Sequence, residues 1–260
     1  MILFSSMFLY EYPVEKIARA CRLAGYDGIE FWIETPHYWI DMDYGKAESI
    51  REWVKSVHCA VLDLNPCSVN HEVAEVTLKT NLHAVSVAAK LGVSMTIHAG
   101  KRSAAREPVR EDYEANERYF RILSRYAEIK GTRLLLENSE PRINYLCRDF
   151  DEVLECAERF GFGITFDVNH ALKNGDADRY VQALDLIENV HVSGYDERGR
   201  HVAARNNGKV RDVLAMLKDA GYEGMVTVEL DDLGYGYMDY GKKVDELRKE
   251  REFIEKIFRR

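Results

Sequence analysis

No apolar run in the 260-residue chain approaches the roughly 18 residues that would span a bilayer. That excludes a helical membrane protein. The apolar start, Met1 to Tyr10, lacks a basic n-region and is followed at once by Glu11. It reads as a first strand and not as a signal peptide. The five cysteines (Cys21, Cys59, Cys67, Cys147, Cys156) form no CxxC pair and no Cys/His zinc spacing. Their odd number points to reduced thiols in a cytoplasmic protein. Basic charge is also short: 36 Lys+Arg stand against 44 Asp+Glu, a net charge of -8, which argues against a general nucleic-acid binder. Linkers, low-complexity stretches and long charge blocks are missing, which favours one domain over residues 1–260. With 46% hydrophobic residues the chain can build a core, so disorder is excluded.

What the chain does have is a repeating unit, a helical segment that ends at glycine and leads into a short β-rich run. Leu23-Ala24-Gly25-Tyr26-Asp27-Gly28-Ile29-Glu30 parallels Asp219-Ala220-Gly221-Tyr222-Glu223-Gly224-Met225-Val226. Similar junctions fall at Gly92, Gly131 and Gly161. Glycine stops a helix in the left-handed conformation without steric cost. Val14, Ile17, Cys21 and Ala24 line one face of the first helix, and Val244, Leu247, Ile254 and Ile257 one face of the last. The strands are near-continuous apolar runs, such as Met95-Thr96-Ile97 and Leu134-Leu135-Leu136, which suit parallel strands buried on both faces. Eight such runs are expected, near residues 2–5, 29–33, 59–62, 94–98, 133–137, 163–167, 189–193 and 225–229. Eight βα units in this length match a (β/α)8 TIM barrel. The alternative, a doubly wound sheet, would carry a Gly-rich phosphate turn after its first strand. Ser5-Ser6-Met7-Phe8 is no such turn.

Aligning the strands exposes the chemistry. The fourth ends at His98, the fifth at Glu137, the sixth at Asp167 with His170 three residues on, and the eighth at Glu229. His58 is expected to open the third, and His191 to lie in the seventh. In a TIM barrel the C-terminal strand ends converge on one mouth. Glu137, Asp167, His191 and Glu229 would there form an oxygen-rich set with one imidazole, suited to one divalent cation: Mn²⁺, Mg²⁺, Co²⁺ or Zn²⁺. Without a cation, three such carboxylates are expected to raise one another's pKa.

These stretches resemble the xylose-isomerase-like TIM-barrel superfamily, which groups sugar and sugar-phosphate isomerases and epimerases with the endonuclease IV type of apurinic-site nuclease. The similar stretches are His58-Cys59-Ala60-Val61-Leu62-Asp63-Leu64-Asn65, Thr96-Ile97-His98-Ala99-Gly100, Leu136-Glu137-Asn138, Asp167-Val168-Asn169-His170, Asn189-Val190-His191-Val192-Ser193 and Val228-Glu229. In the epimerase branch the resemblance implies one metal on Glu137, Asp167, His191 and Glu229. Glu137 and Glu229 would also be the acid/base pair, and His170 would bind a substrate oxygen. In the nuclease branch His58 and His98 join the cluster, with an Asp-x-His pair after the seventh strand. Gly199-Arg200-His201 stands there instead, without the Asp. The expected function is therefore a metal-dependent isomerase or epimerase of a sugar, sugar phosphate or polyol acid. The alternatives are an endonuclease-IV-like hydrolase on abasic-site DNA, or a dehydratase or binding member of the fold.

The loops suggest the substrate. Lys101, Arg102, Arg106 and Arg110 follow the fourth strand, and Arg198, Arg200, Arg205, Lys209 and Arg211 follow the seventh. Inward-pointing members would favour an anionic sugar-like molecule. His58, His98, His170, His201 and Arg102 are the expected substrate contacts. Aromatic loops, Thr35-Pro36-His37-Tyr38-Trp39 through Tyr44 and Leu233-Gly234-Tyr235-Gly236-Tyr237-Met238-Asp239-Tyr240, would serve as a lid or as a homo-oligomer contact. Trp32 reads as core or helix-packing material, and Glu30 and Glu34 as contacts to substrate hydroxyls.

Overall fold

Eight parallel strands close a barrel in the computed structural model, which describes residues 1–258. They are β1 (Ile2–Ser5), β2 (Gly28–Trp32), β3 (Val54–His58), β4 (Ser94–Ile97), β5 (Leu134–Glu137), β6 (Gly163–Asp167), β7 (Ile187–Val192) and β8 (Met225–Val228). Each pairs with its sequence neighbours, and β1 closes the ring against β8. Helices such as Val14–Ala24, His71–Leu91, Arg110–Lys130 and Phe150–Phe160 cover the outside. The main apolar core lies between them and the sheet. Each of these four helices ends at a left-handed glycine, as the repeated junction predicts. Among the described residues no helix is long and apolar enough to cross a membrane.

One strand differs from expectation. The third is Val54–His58, so His58 ends it and does not open it. Lys55 and Ser56 interrupt its apolar pattern. The more apolar Cys59–Leu62 run is loop, with Leu62 more than half exposed at the mouth.

Side chains alternate across a strand with period two, and this alternation builds the barrel interior in three layers. Leu3, Leu135 and Met225 form a small apolar cluster separate from the main core. Glu30, Ser56, Thr96, Thr165, Asn189 and Thr227 follow as polar inward positions, all buried. Two residues beyond most of these stand His58, His98, Asp167, His191 and Glu229, and beyond Leu135 stands Glu137. A TIM-barrel interior is mostly branched aliphatic side chains. A polar middle layer is thus a departure, and its position directly beneath the strand-end set links fold to site.

Candidate active site

The strand-end residues meet as expected. Glu137 Oε2 lies 3.2 Å from His98 Nε2, 3.5 Å from His58 Nε2 and 3.3 Å from His191 Nδ1. Glu229 Oε2 lies 3.4 Å from His191 Nδ1 and 3.4 Å from His201 Nδ1. Asp167 closes β6 and caps the following helix, Val168–Asn174, its Oδ1 accepting the His170 backbone N–H at 2.7 Å. The DVNH spacing therefore places both side chains at the mouth. Three groups offer ligand atoms within 4.8 Å of one another: Glu137, Asp167, His191 and Glu229; His58, His98 and Glu137; and Asp167, His170 and His201.

The residues around these side chains fix their orientation. Asn138 locks two strands together: its amide donates to the Asp167 carbonyl at 2.9 Å and accepts the Asp167 N–H at 2.7 Å. Its own carbonyl is 2.9 Å from His170 Nδ1, leaving His170 Nε2 for the cavity. His58 Nδ1 bonds the Cys59 carbonyl at 2.9 Å, so its Nε2 faces His98 Nε2 at 3.1 Å. Asn138 is a site residue that sequence reasoning missed, although it directly follows Glu137.

The chemistry of the central group fits a divalent cation. Glu137 Oε2, Asp167 Oδ2 and His191 Nδ1 are buried without a hydrogen-bond partner. Buried polar atoms normally find one, so three orphans converging on one point match a ligand shell. The electrostatics differ from expectation in one respect. Burial raises the Asp167 carboxyl. For Glu137 and Glu229 the same burial is outweighed by the neighbouring imidazoles, which hold both carboxyls well below their usual range. The imidazoles respond in kind. Burial alone would lower them, but the surrounding carboxylates drive His191 well up and bring His58 and His201 to about 9. The carboxylates share charge with histidines and do not simply repel one another.

This carries a sign. The surrounding carboxylates favour the protonated form of His191, which must be neutral to act as a ligand. Cation uptake should therefore release protons, and affinity should fall as the pH drops. Calorimetry in two buffers of different ionisation enthalpy checks this. Uptake without proton release would contradict it.

Above the set opens a cavity of about 570 Å³, lined among others by Trp32, His58, Lys101, Arg142, Arg198 and Arg200. Trp32 thus faces the mouth and is not simply core. Arg102 is not brought in: its guanidinium donates to the Glu107 carbonyl at 2.6 Å and lies 3.9 Å from Asp112. Arg205 pairs with Glu246 and Glu250 instead. Arg142 is the cavity cation that the sequence reading overlooked. Glu34 braces a loop, accepting the Val61 and Leu62 N–H groups at 2.8 and 3.0 Å. Tyr38 is wholly buried against His83 and is no lid residue. Glu30 lies in the middle layer and makes no cavity wall.

A model of the xylose isomerase-like TIM barrel family matches residues 18–257. The chain belongs to this family. It is 32% identical over 268 residues to an uncharacterised protein of Methanocaldococcus jannaschii, covering 97% of each. A second uncharacterised protein of that organism is 27% identical over 231 residues, covering 83% of this chain and 77% of the other. Among solved family-like structures, a D-tagatose 3-epimerase-like protein superposes with TM-score 0.76 at 26% identity, covering 98% of each chain. An L-ribulose 3-epimerase superposes with TM-score 0.80 at 18% identity, covering 99% and 94%, and so shares the fold.

Proposed function

We propose that the protein is a divalent-cation-dependent isomerase or epimerase of a small, anionic, sugar-like substrate. The observation that carries this reading is the pair Glu137 and Glu229, both buried and both beside His191 Nδ1, at 3.3 and 3.4 Å. The similarity to a tagatose-epimerase-like protein supports it. Glu137, Asp167, His191 and Glu229 would hold the cation, which when bound supplies Lewis-acid polarisation of a carbonyl and its neighbouring hydroxyl. One glutamate removes the proton beside the carbonyl, giving an enediolate. Return of that proton to the neighbouring carbon, with a proton passing from one enediolate oxygen to the other, isomerises the sugar. Delivery by the other glutamate to the opposite face epimerises it. His170, its Nδ1 spent on the Asn138 carbonyl, presents Nε2 to a substrate oxygen. His201 steadies Glu229.

The test is incubation of cation-loaded protein in deuterated water with ketoses, aldoses, their phosphates and sugar acids. Deuterium uptake next to the carbonyl supports the reading, and no uptake with any of them overturns it. A dehydratase would share the first proton transfer and is told apart by loss of water from the product.

The anionic preference rests on Lys101 and Arg198 at the cavity; Arg142 and Arg200 also line it but pair with Glu140 and Asp196. A K101A/R198A double variant should raise KM for a phosphorylated or acidic sugar about tenfold to a hundredfold, the worth of a charged hydrogen bond. Turnover at saturation should change little. An equal KM rise for the neutral sugar would contradict an anion site.

A second reading has one observation in its favour. His58, His98 and Glu137, and separately Asp167, His170 and His201, each gather as a ligand group beside the central one. A multi-cation hydrolase acting on abasic-site DNA would use all three. Gly199 in place of an aspartate and the net charge of -8 weigh against it. Cleavage of abasic DNA without deuterium exchange would favour it over the isomerase.

A further inference from the structure

We infer that Glu30 is a positioning residue that orients His191 from beneath the site. The inference rests on the reading of His191 as a cation ligand. Glu30 is on β2 and completely buried. Its Oε1 lies 2.8 Å from His191 Nε2, the ring nitrogen that faces away from Glu137 and Glu229. The two atoms are close but not yet aligned as a hydrogen bond, and neither has another partner. His58 stacks on that ring, centroids 6.0 Å apart at 25°, which limits the plane in which it turns.

The rest of the middle layer is arranged around the Glu30 charge. Its Oε2 accepts from Asn189 Nδ2 at 2.9 Å and from Thr96 Oγ1 at 3.2 Å. Because a carboxylate only accepts, both partners must donate, and this sets the direction of every bond behind them. Asn189 turns its Oδ1 to the Thr227 hydroxyl at 2.8 Å. Thr96, already donating, receives the Thr165 hydroxyl at 2.9 Å. Four strands are thereby polarised toward one oxygen, Glu30 Oε2. Oε2 is fully engaged, and Oε1 is left for His191 alone.

The consequence lies in which nitrogen keeps a proton. With Nε2–H facing Glu30, the lone pair of the neutral ring sits on Nδ1 and points at Glu137, Asp167 and Glu229. An imidazole held this way by a carboxylate is a better-oriented and more basic ligand, worth about 10–100-fold in metal affinity. An amide cannot take over the role. Glutamine would set its NH2 either against the Asn189 donor or against His191 Nε2–H, so one bond is lost in each orientation.

The experiment is Zn²⁺ affinity, by chelator competition, of the wild type, E30Q and T96V, with proton NMR of the His191 Nε2–H. E30Q should bind about 10–100-fold more weakly. T96V removes a bond to Oε2 while leaving Oε1 facing His191, and should bind nearly as the wild type does. A downfield, slowly exchanging Nε2–H signal should be present in the wild type with or without Zn²⁺ and absent from E30Q. Unchanged affinity or an unchanged signal in E30Q overturns the inference. So does an equal loss in T96V, which would make the layer a structural support only. Should E30Q fail to fold, E30D keeps the charge but draws the carboxylate back. It should lose the signal and part of the affinity, and wild-type behaviour in it overturns the inference. A wild type that binds no Zn²⁺ would defeat the proposed function, while the Nε2–H signal would still decide the role of Glu30.

Discussion

A Glu137→Gln variant is expected to lose turnover by about a hundredfold to ten-thousandfold, the range for removal of a general acid or base. Glutamine has nearly the same volume, so packing is kept while proton transfer is abolished. Glu137 should be the most sensitive position because its Oε2 lies within 3.5 Å of His58, His98 and His191 at once. Losing its charge also frees those imidazoles from their main partner, so cation affinity should fall with turnover. Glu229→Gln should show a comparable loss of turnover and a smaller effect on cation binding. Fewer groups depend on Glu229: its carboxylate contacts His191 and His201. Deuterium exchange and steady-state rates measure the first effect, and chelator competition the second. Near-wild-type turnover in either variant would remove that residue from the acid/base pair.

Removing the cation is the second large effect. Dialysis against a chelator should abolish turnover and leave a folded but less stable barrel. The covering helices and the main apolar core owe nothing to the site, so the fold persists. A cation that binds only the native state, at a hundred times its dissociation constant, adds about 2.7 kcal/mol. For a barrel of this size that corresponds to roughly 5–11 °C in the unfolding midpoint. Asp167→Asn should cut that gain. Of the central carboxylates, Asp167 is the one in which burial outweighs the neighbouring imidazoles and leaves the carboxyl raised, so it gains most from a cation beside it. Calorimetric scans with and without Mn²⁺ or Zn²⁺ provide the check. A midpoint that ignores both ions would contradict the ligand shell.

The barrel and its strand-end groups were legible because two local rules repeat along the chain. Glycine marks where helices stop, and a polar residue marks where an apolar strand leaves the core. Glu137, Asp167, His191 and Glu229 follow from those rules, as do His98 and His170. The third strand was misplaced because its inward positions are polar. Ser56 and Lys55 hid it, while the apolar Cys59–Leu62 loop imitated a strand. The middle layer was missed for a related reason. Thr96, Thr165 and Thr227 sit in β-rich runs and pass as ordinary strand residues, and only their common spacing, two before His98, Asp167 and Glu229, marks an inner layer. Glu30 was harder still. Its partners are 66 and 159 residues away in sequence, and nothing local connects them. Loop arginines were the least legible group. Arg102 and Arg205 found carboxylates outside the mouth, and Arg142 entered from a loop that the charge pattern did not single out.

The most direct test of the ligand set is the number of cations held per chain after loading with Mn²⁺ or Zn²⁺ and exhaustive dialysis, read by elemental analysis. One is expected, and it is lost in Asp167→Asn. None, or three that survive dialysis together, would contradict the ligand set.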